Sequence, residues 1–134
     1  MSELGSAFAR AVALKNHEAL LELLAPDVDF RGLTPGRCWE ASTAEGVDAV
    51  LFGNWFEESN EVTGLIGVGV GEPVEDTHHV SYRLALRNPD GEHTTEQQAY
   101  YRSDGHRITY LRILCSGFRA AGSASVVLEA DPGP

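Results

Sequence analysis

Only two cysteines, Cys38 and Cys115, occur in 134 residues, and no C-x-x-C, H-x-H or H-E-x-x-H spacing is present. That argues against a disulfide scaffold and against a structural metal site. No G-x-S-x-G elbow marks a nucleophile. No apolar run approaches the roughly 18 residues that cross a bilayer. The opening MSELGSAFARAV lacks the basic and apolar regions of a signal peptide, so a cytoplasmic location and reduced thiols are expected. Basic residues are scarce: ten Lys and Arg stand against twenty Asp and Glu, a formal net charge of -10. They are scattered, so neither nucleic acid nor an anionic membrane surface is an expected partner. Internal repeats and linkers are also missing. What remains is one domain, with 43% hydrophobic residues to build its core.

The hydrophobic pattern changes period along the chain. A first helix is expected from near Glu3, with Leu4, Phe8, Ala11, Val12 and Leu14 as its apolar stripe. Asn16 either ends it in a left-handed conformation or caps a second helix, His17 to about Leu24. Pro26 stops that helix. Val28 and Phe30 alternate with charged residues as a short strand. The Pro35-Gly36 turn then leads toward Trp39, on a candidate returning strand. Ser42 and Glu45 have capping-box spacing before a third helix, about Ala44 to Glu57. Four strands follow: about Val62–Glu72, Thr77–Arg87, His93–Arg102 and Arg107–Phe118. Asn88-Pro89-Asp90-Gly91 and Asp104-Gly105 supply hairpin turns. Residues from 120 onward read as a loosely ordered tail in which Val126 to Leu128 are able to dock. Helices followed by a meander predict an α+β domain with its helices on one face of the sheet.

Gly67-Val68-Gly69-Val70-Gly71 is not a dinucleotide fingerprint, because the spacing is wrong and the segment is itself strand-like. Its glycines share one strand face, which leaves room for close packing, sheet curvature or a ligand. His78 and His79 diverge to opposite faces and make a poor metal pair. On the third strand of the meander Glu96, Gln98, Tyr100 and Arg102 share one parity, and Gln97, Ala99 and Tyr101 the other. On the last strand Ile108, Tyr110, Arg112 and Leu114 alternate with Thr109, Leu111, Ile113 and Cys115. A pocket places a few polar groups among apolar walls, whereas the solvent side carries cross-strand polar pairs; parity alone leaves both readings open. Trp39 and Trp55 are wall candidates or core residues.

The helical opening FARAVALKNHEALLELLAPDVDFRG, the Trp-containing central helix and the closing YYRSDGHRITYLRIL carry a resemblance over residues 4 to 118. On these segments the chain resembles the nuclear transport factor 2-like superfamily in its SnoaL-like branch. LTPGRCWE and LRILCSGFR are similar to an actinobacterial-type subgroup. The resemblance implies a cystatin-like cone, a strongly curved and mostly antiparallel sheet wrapped around three N-terminal helices. It also implies a deep pocket, dimerisation through the outer sheet face, and no cofactor. Members include ketosteroid isomerase, scytalone dehydratase, limonene epoxide hydrolase, polyketide cyclases and non-enzymatic binders.

Two functional readings follow. In the first the chain binds a hydrophobic, cyclic small molecule, with cofactor-free isomerase, cyclase or dehydratase chemistry as an option. Its candidate pocket residues are Arg37, Trp39, Trp55, Tyr82, Gln98, Tyr100 and Arg112. The arginines would orient an anionic or enolate oxygen, Tyr82, Gln98 and Tyr100 would donate hydrogen bonds, and the tryptophans would wall a ring. In the second reading the chain is a non-catalytic dimerisation or protein-interaction module with an apolar outer sheet face.

Overall fold

The computed structural model describes residues 2–120; the expected docking of Val126 to Leu128 lies outside the described residues. Helix α1 (Ser2–Leu14) buries Phe8, Ala9, Ala11 and Val12, while Leu14, expected on the same stripe, is exposed. Lys15 ends the helix at φ 51°, with Lys15 N–H on Val12 O and Asn16 N–H on Ala11 O. This closure usually takes glycine. Lys15 Nζ donates to the carbonyls of Glu57 and Asn60, which ties this helix end to a segment more than forty residues on in the chain. Asn16 is thus free to cap α2 (His17–Leu23), accepting from Ala19 N–H at 3.1 Å.

The first strand, β1 (Leu24–Thr34), is much longer than the sequence suggested, because it starts immediately after α2 and runs through Pro26. It pairs in parallel with β6 (Ile108–Cys115), the register shifting between Leu24 and Asp29. A register break of this kind lets proline sit in an inner strand. Strand β2 (Arg37–Ala41) returns antiparallel to β1, which confirms the strand around Trp39. The third helix, α3 (Ala44–Val50), is capped by Thr43 Oγ1 on Gly46 N–H at 3.0 Å rather than by Ser42. It does not continue as an α-helix to Glu57; Leu51–Trp55 widens to a π-helical turn closed by Phe56 N–H on Leu51 O at 2.7 Å. One turn of wider pitch brings Leu51, Phe52, Trp55 and Phe56 all into the core.

Strands β3 (Glu61–Val70), β4 (His78–Asn88) and β5 (Gly91–Ser103) make the meander. The sheet order is β2-β1-β6-β5-β4-β3, and every pairing except β1 with β6 is antiparallel. A last short strand, β7 (Arg119–Ala120), takes up beside β5 where β6 leaves it. Between them Gly117 adopts φ +79° and Ser116 N–H bonds Glu96 O, a bulge that re-aims the chain. Helix α1 lies over β3 and β4, and α3 over β1 and β2. The result is an open, mixed, curved sheet with three helices on its inner face.

The hairpin at Pro89-Asp90 sets the inner row. Asn88 pairs with Gly91, so Tyr82 faces Gln97, Leu84 faces Thr95 and Val80 faces Ala99. Buried Val80, Tyr82, Leu84 and Leu86 mark the inner face of β4, and paired residues share a face. The inner face of β5 is therefore Thr95, Gln97, Ala99 and Tyr101. On β6, Leu111 and Ile113 point inward. Ile108 joins them against simple alternation, because the register slips between Arg102 and Ser103. Gly69 and Gly71 make room for the outer-face side chains of Ser81 and His79.

Candidate functional site

Three strands place Tyr82, Gln97 and Cys115 side by side on the inner face. Tyr82 O–H donates to Gln97 Oε1 at 2.6 Å, and both residues are buried. Burial pushes the Tyr82 phenol well above its ordinary pKa, and the neighbouring Cys115 adds to the effect. The phenol therefore stays neutral and acts as a donor. Oε1 takes the phenol proton, and Gln97 Nε2 is buried with no partner. Thr95, also buried, has its hydroxyl 3.5 Å from Cys115 Sγ and 3.4 Å from Ser116 Oγ.

Aromatic side chains pack in the same core. Phe8 meets Tyr82 edge-on at 6.2 Å. Trp55 lies 6.2 Å from Phe30 and 6.3 Å from Trp39, the latter pair nearly perpendicular. The Trp55 ring needs Gly32 beneath it, since a Cβ there would sit 2.5 Å from Cη2. Trp55 is 6% exposed and its indole Nε1–H is buried without a partner. The Gly117 bulge turns Phe118 onto Phe56, stacked at 5.8 Å, and presses against Pro35 at the β1–β2 tip. This hairpin tip and the bulge thus meet at one edge of the inner face.

The seven residues singled out in the sequence divide between two faces. Trp55 and Tyr82 are buried inside, Trp39 is half-buried against the core, and Arg37 is exposed at the β1–β2 tip with its guanidinium carbon 3.6 Å over the Trp39 ring. Gln98, Tyr100 and Arg112 lie on the outer face. There Gln98 joins a polar ladder: its Oε1 meets His79 Nε2 at 2.6 Å, and its Nε2 donates to Glu96 Oε2 at 2.8 Å. Tyr100 stacks on His79 at 4.6 Å. Arg112 bonds Asp29 O at 2.9 Å and pairs with the Asp29 carboxylate at 3.3 Å, its guanidinium over Tyr110. Gln97, the inward neighbour of Gln98, was missed because both parities of β5 carry a Gln and a Tyr. The signal was present in the Asn88–Gly91 hairpin, which transfers the plainly apolar parity of β4 onto the odd residues of β5.

A separate groove of about 480 Å³ opens between the end of α1, the π turn and β3, lined by Leu14, Lys15, His17, Phe52 and Val62 among others. It lies outside the Tyr82–Gln97 row. Its His17 Nδ1 bonds both Asp48 oxygens, at 2.8 and 2.9 Å, which holds α2 to α3. Among the described residues no cluster of three or more His, Cys, Asp or Glu has the geometry to hold a metal ion. No described helix is long and apolar enough to cross a membrane.

Solved structures with the same arrangement of helices and sheet decide the fold. One is a candidate polyketide cyclase from Xanthomonas campestris, 18% identical, spanning 84% of this chain and 87% of its own, with a TM-score of 0.67. The chain has the SnoaL-like, nuclear transport factor 2-like fold. Another such structure is a protein of ketosteroid isomerase-like fold from Catenulispora acidiphila, in complex with trimethylamine. That protein is 16% identical over 85% of each chain, TM-score 0.62. An epoxide hydrolase from M. tuberculosis is 13% identical over 85% of this chain and 80% of its own, TM-score 0.61. No protein-family model matches the sequence, and no curated protein does. At these identities the likeness establishes the SnoaL-like architecture and leaves the chemistry to the residues of this chain.

Proposed function

We propose that this chain binds a small hydrophobic, cyclic molecule inside the cone and that the molecule carries a hydrogen-bond-accepting oxygen. One observation carries the reading: the Gln97 amide N–H and the Trp55 indole N–H are both buried among aromatic and aliphatic side chains with nothing to donate to. An unpaired buried donor costs about 1–3 kcal/mol. Two such donors in one core are a standing cost that an acceptor-bearing ligand removes. Tyr82 holds the Gln97 amide in place, and Trp39, Trp55 and Phe30 supply ring-shaped walls. The small molecules implied by the names of the similar structures, an epoxide and trimethylamine among them, agree with a pocket-forming architecture.

Binding is favoured over catalysis. The fully buried polar residues among those described are Asn60, Thr95 and Gln97, none of them a carboxylate or an imidazole; the one inner-face imidazole among the described residues of β4, His78, is half-buried and stacked on Tyr101 rather than placed beside the Tyr82–Gln97 pair. Thermal unfolding in the presence of a panel of cyclic ketones and lactones tests the reading. A ligand at 100 times its Kd adds about 2.7 kcal/mol. Failure of every member to raise the midpoint defeats the proposal.

A second reading concerns assembly, and rests on the outer face. Leu33 and Leu114, each 47% exposed, are register neighbours across β1 and β6. Tyr100, 38% exposed, sits on the adjoining strand. We infer that this apolar strip joins two copies of the chain. Light scattering should return the mass of a dimer, and Leu114→Glu that of a monomer; a monomeric wild-type chain removes the reading.

A further inference from the structure

We propose that the molecule held in the cone is an anion, a cyclic carboxylic acid whose carboxylate is bound at the β1–β2 tip by Arg37. This inference rests on the reading of the cone as a binding site and adds the charge class of its ligand. The β1–β2 register pairs Thr34 with Arg37 and Gly32 with Trp39. Arg37 therefore begins the same inward row that carries Trp39 and faces buried Gly32. Trp39 Nε1–H donates to Thr34 Oγ1 at 2.9 Å, which fixes the indole plane. The Arg37 guanidinium lies over that plane at 3.6 Å. Among the described residues no hydrogen bond or ion pair occupies the guanidinium N–H groups, so they remain available to a carboxylate, which an arginine can take with two parallel hydrogen bonds. Trp39 in turn meets Trp55 edge-on, so an unbroken aromatic path leads from the cation to the orphan indole N–H inside.

The charge distribution singles out the same residue. Arg31, Arg83, Arg87, Arg102 and Arg112 each have a carboxylate within 4.0 Å. Among the described residues Arg37 has none, and the nearby Glu40 lies 4.0 Å from Arg31 instead. Arg10, Arg107 and Arg119 also lack a described carboxylate, yet none of them stacks on an aromatic ring of the cone. In a chain with twice as many acidic as basic residues, an arginine left unneutralised on a fixed platform is a site for an external anion. The net charge of -10 repels anions at long range, but salt screens that field beyond roughly 8 Å. Local geometry at Arg37 then decides which molecules enter.

Two isosteric probes separate the charge from the ring. 2-Naphthoate and 2-naphthamide are titrated into the full chain, into Arg37→Gln, and into the Tyr82→Phe/Gln97→Leu double variant, by calorimetry and tryptophan quenching. Wild type should bind naphthoate about tenfold more tightly than naphthamide. Arg37→Gln should abolish that preference while leaving naphthamide within about twofold, since only the charge-assisted bonds are lost. The double variant should weaken both probes alike. Equal affinity for the two probes in wild type, or equal losses of both in Arg37→Gln, overturns the anion proposal and leaves the cone as a site for neutral rings. Absence of binding by either probe overturns it together with the reading on which it rests.

Discussion

The Tyr82–Gln97 pair allows a quantitative test of whether the interior is built for a ligand at the expense of stability. In the wild-type chain Tyr82 O–H and Gln97 Oε1 satisfy one another at 2.6 Å, and Gln97 Nε2 is left over. Each buried unpaired group costs about 1–3 kcal/mol. Tyr82→Phe strands the Gln97 carbonyl as well as its amide, and should destabilise by about 1–3 kcal/mol. Gln97→Leu exchanges one orphan, the amide, for another, the phenol, and should fall within about 1 kcal/mol of wild type. The double variant has neither of these orphans and should be more stable than Tyr82→Phe by about 2 kcal/mol or more. Urea unfolding followed by circular dichroism gives the four free energies, and thermal midpoints should move by about 4 °C per kcal/mol. The decisive comparison is the effect of Gln97→Leu in the two backgrounds. If adding it to Tyr82→Phe gives no gain, Gln97 is not an unpaired buried donor and the site argument loses its basis.

Gly32→Ala should cost about 1–3 kcal/mol, because its Cβ meets the Trp55 ring and the closing aromatics cannot all move aside; unchanged stability and unchanged tryptophan emission would contradict the packing. Thr43→Ala should cost about 1 kcal/mol by removing the cap of α3, whereas Ser42→Ala should stay within about 0.5 kcal/mol; the reverse order would show Ser42 to be the cap after all. Burial raises the Tyr82 phenol pKa in the folded state, so its contribution is complete below pH about 10 and is lost as pH rises above that value, by up to about 1.4 kcal/mol per pH unit. The alkaline limb of the stability profile should therefore be shallower in Tyr82→Phe, and an identical limb would argue against burial. At the opposite end, backbone N–H groups of Arg107 and His106 hold the Asp104 carboxylate below its ordinary pKa. Its stabilisation of the β5–β6 turn is present above pH about 4 and is lost as pH falls through the lowered value. Nuclear magnetic resonance titration of the Asp104 carboxyl carbon, assigned by its loss in Asp104→Asn, reads this locally, and a midpoint at the ordinary carboxylate value would refute it.

Composition and periodicity were enough to establish the α+β class, the order of helices before meander, and the hairpins at Asn88–Gly91 and at Asp104-Gly105, because these depend on local backbone preferences and on runs of one period. The same local rules placed Trp55 and Tyr82 among the interior candidates, where an aromatic in an apolar stripe has few alternatives. They did not decide which parity of β5 turns inward. Gln97 and Gln98, or Tyr100 and Tyr101, are equivalent to any local rule, and only pairing with β4, whose apolar face the helices cover, separates them. The length of β1 and the inward turn of Ile108 likewise come from the parallel seam with β6 and its register slips, which join residues far apart in the chain. The π turn that brings both Trp55 and Phe56 into the core answers to the shape of the sheet beneath it. Residue order along the chain was sufficient to choose helix or strand for each segment, since that choice is made between near neighbours. Which side of each strand meets the interior, and so which polar groups are left without partners there, depends on pairing between distant segments and was settled only when the sheet closed over its helices.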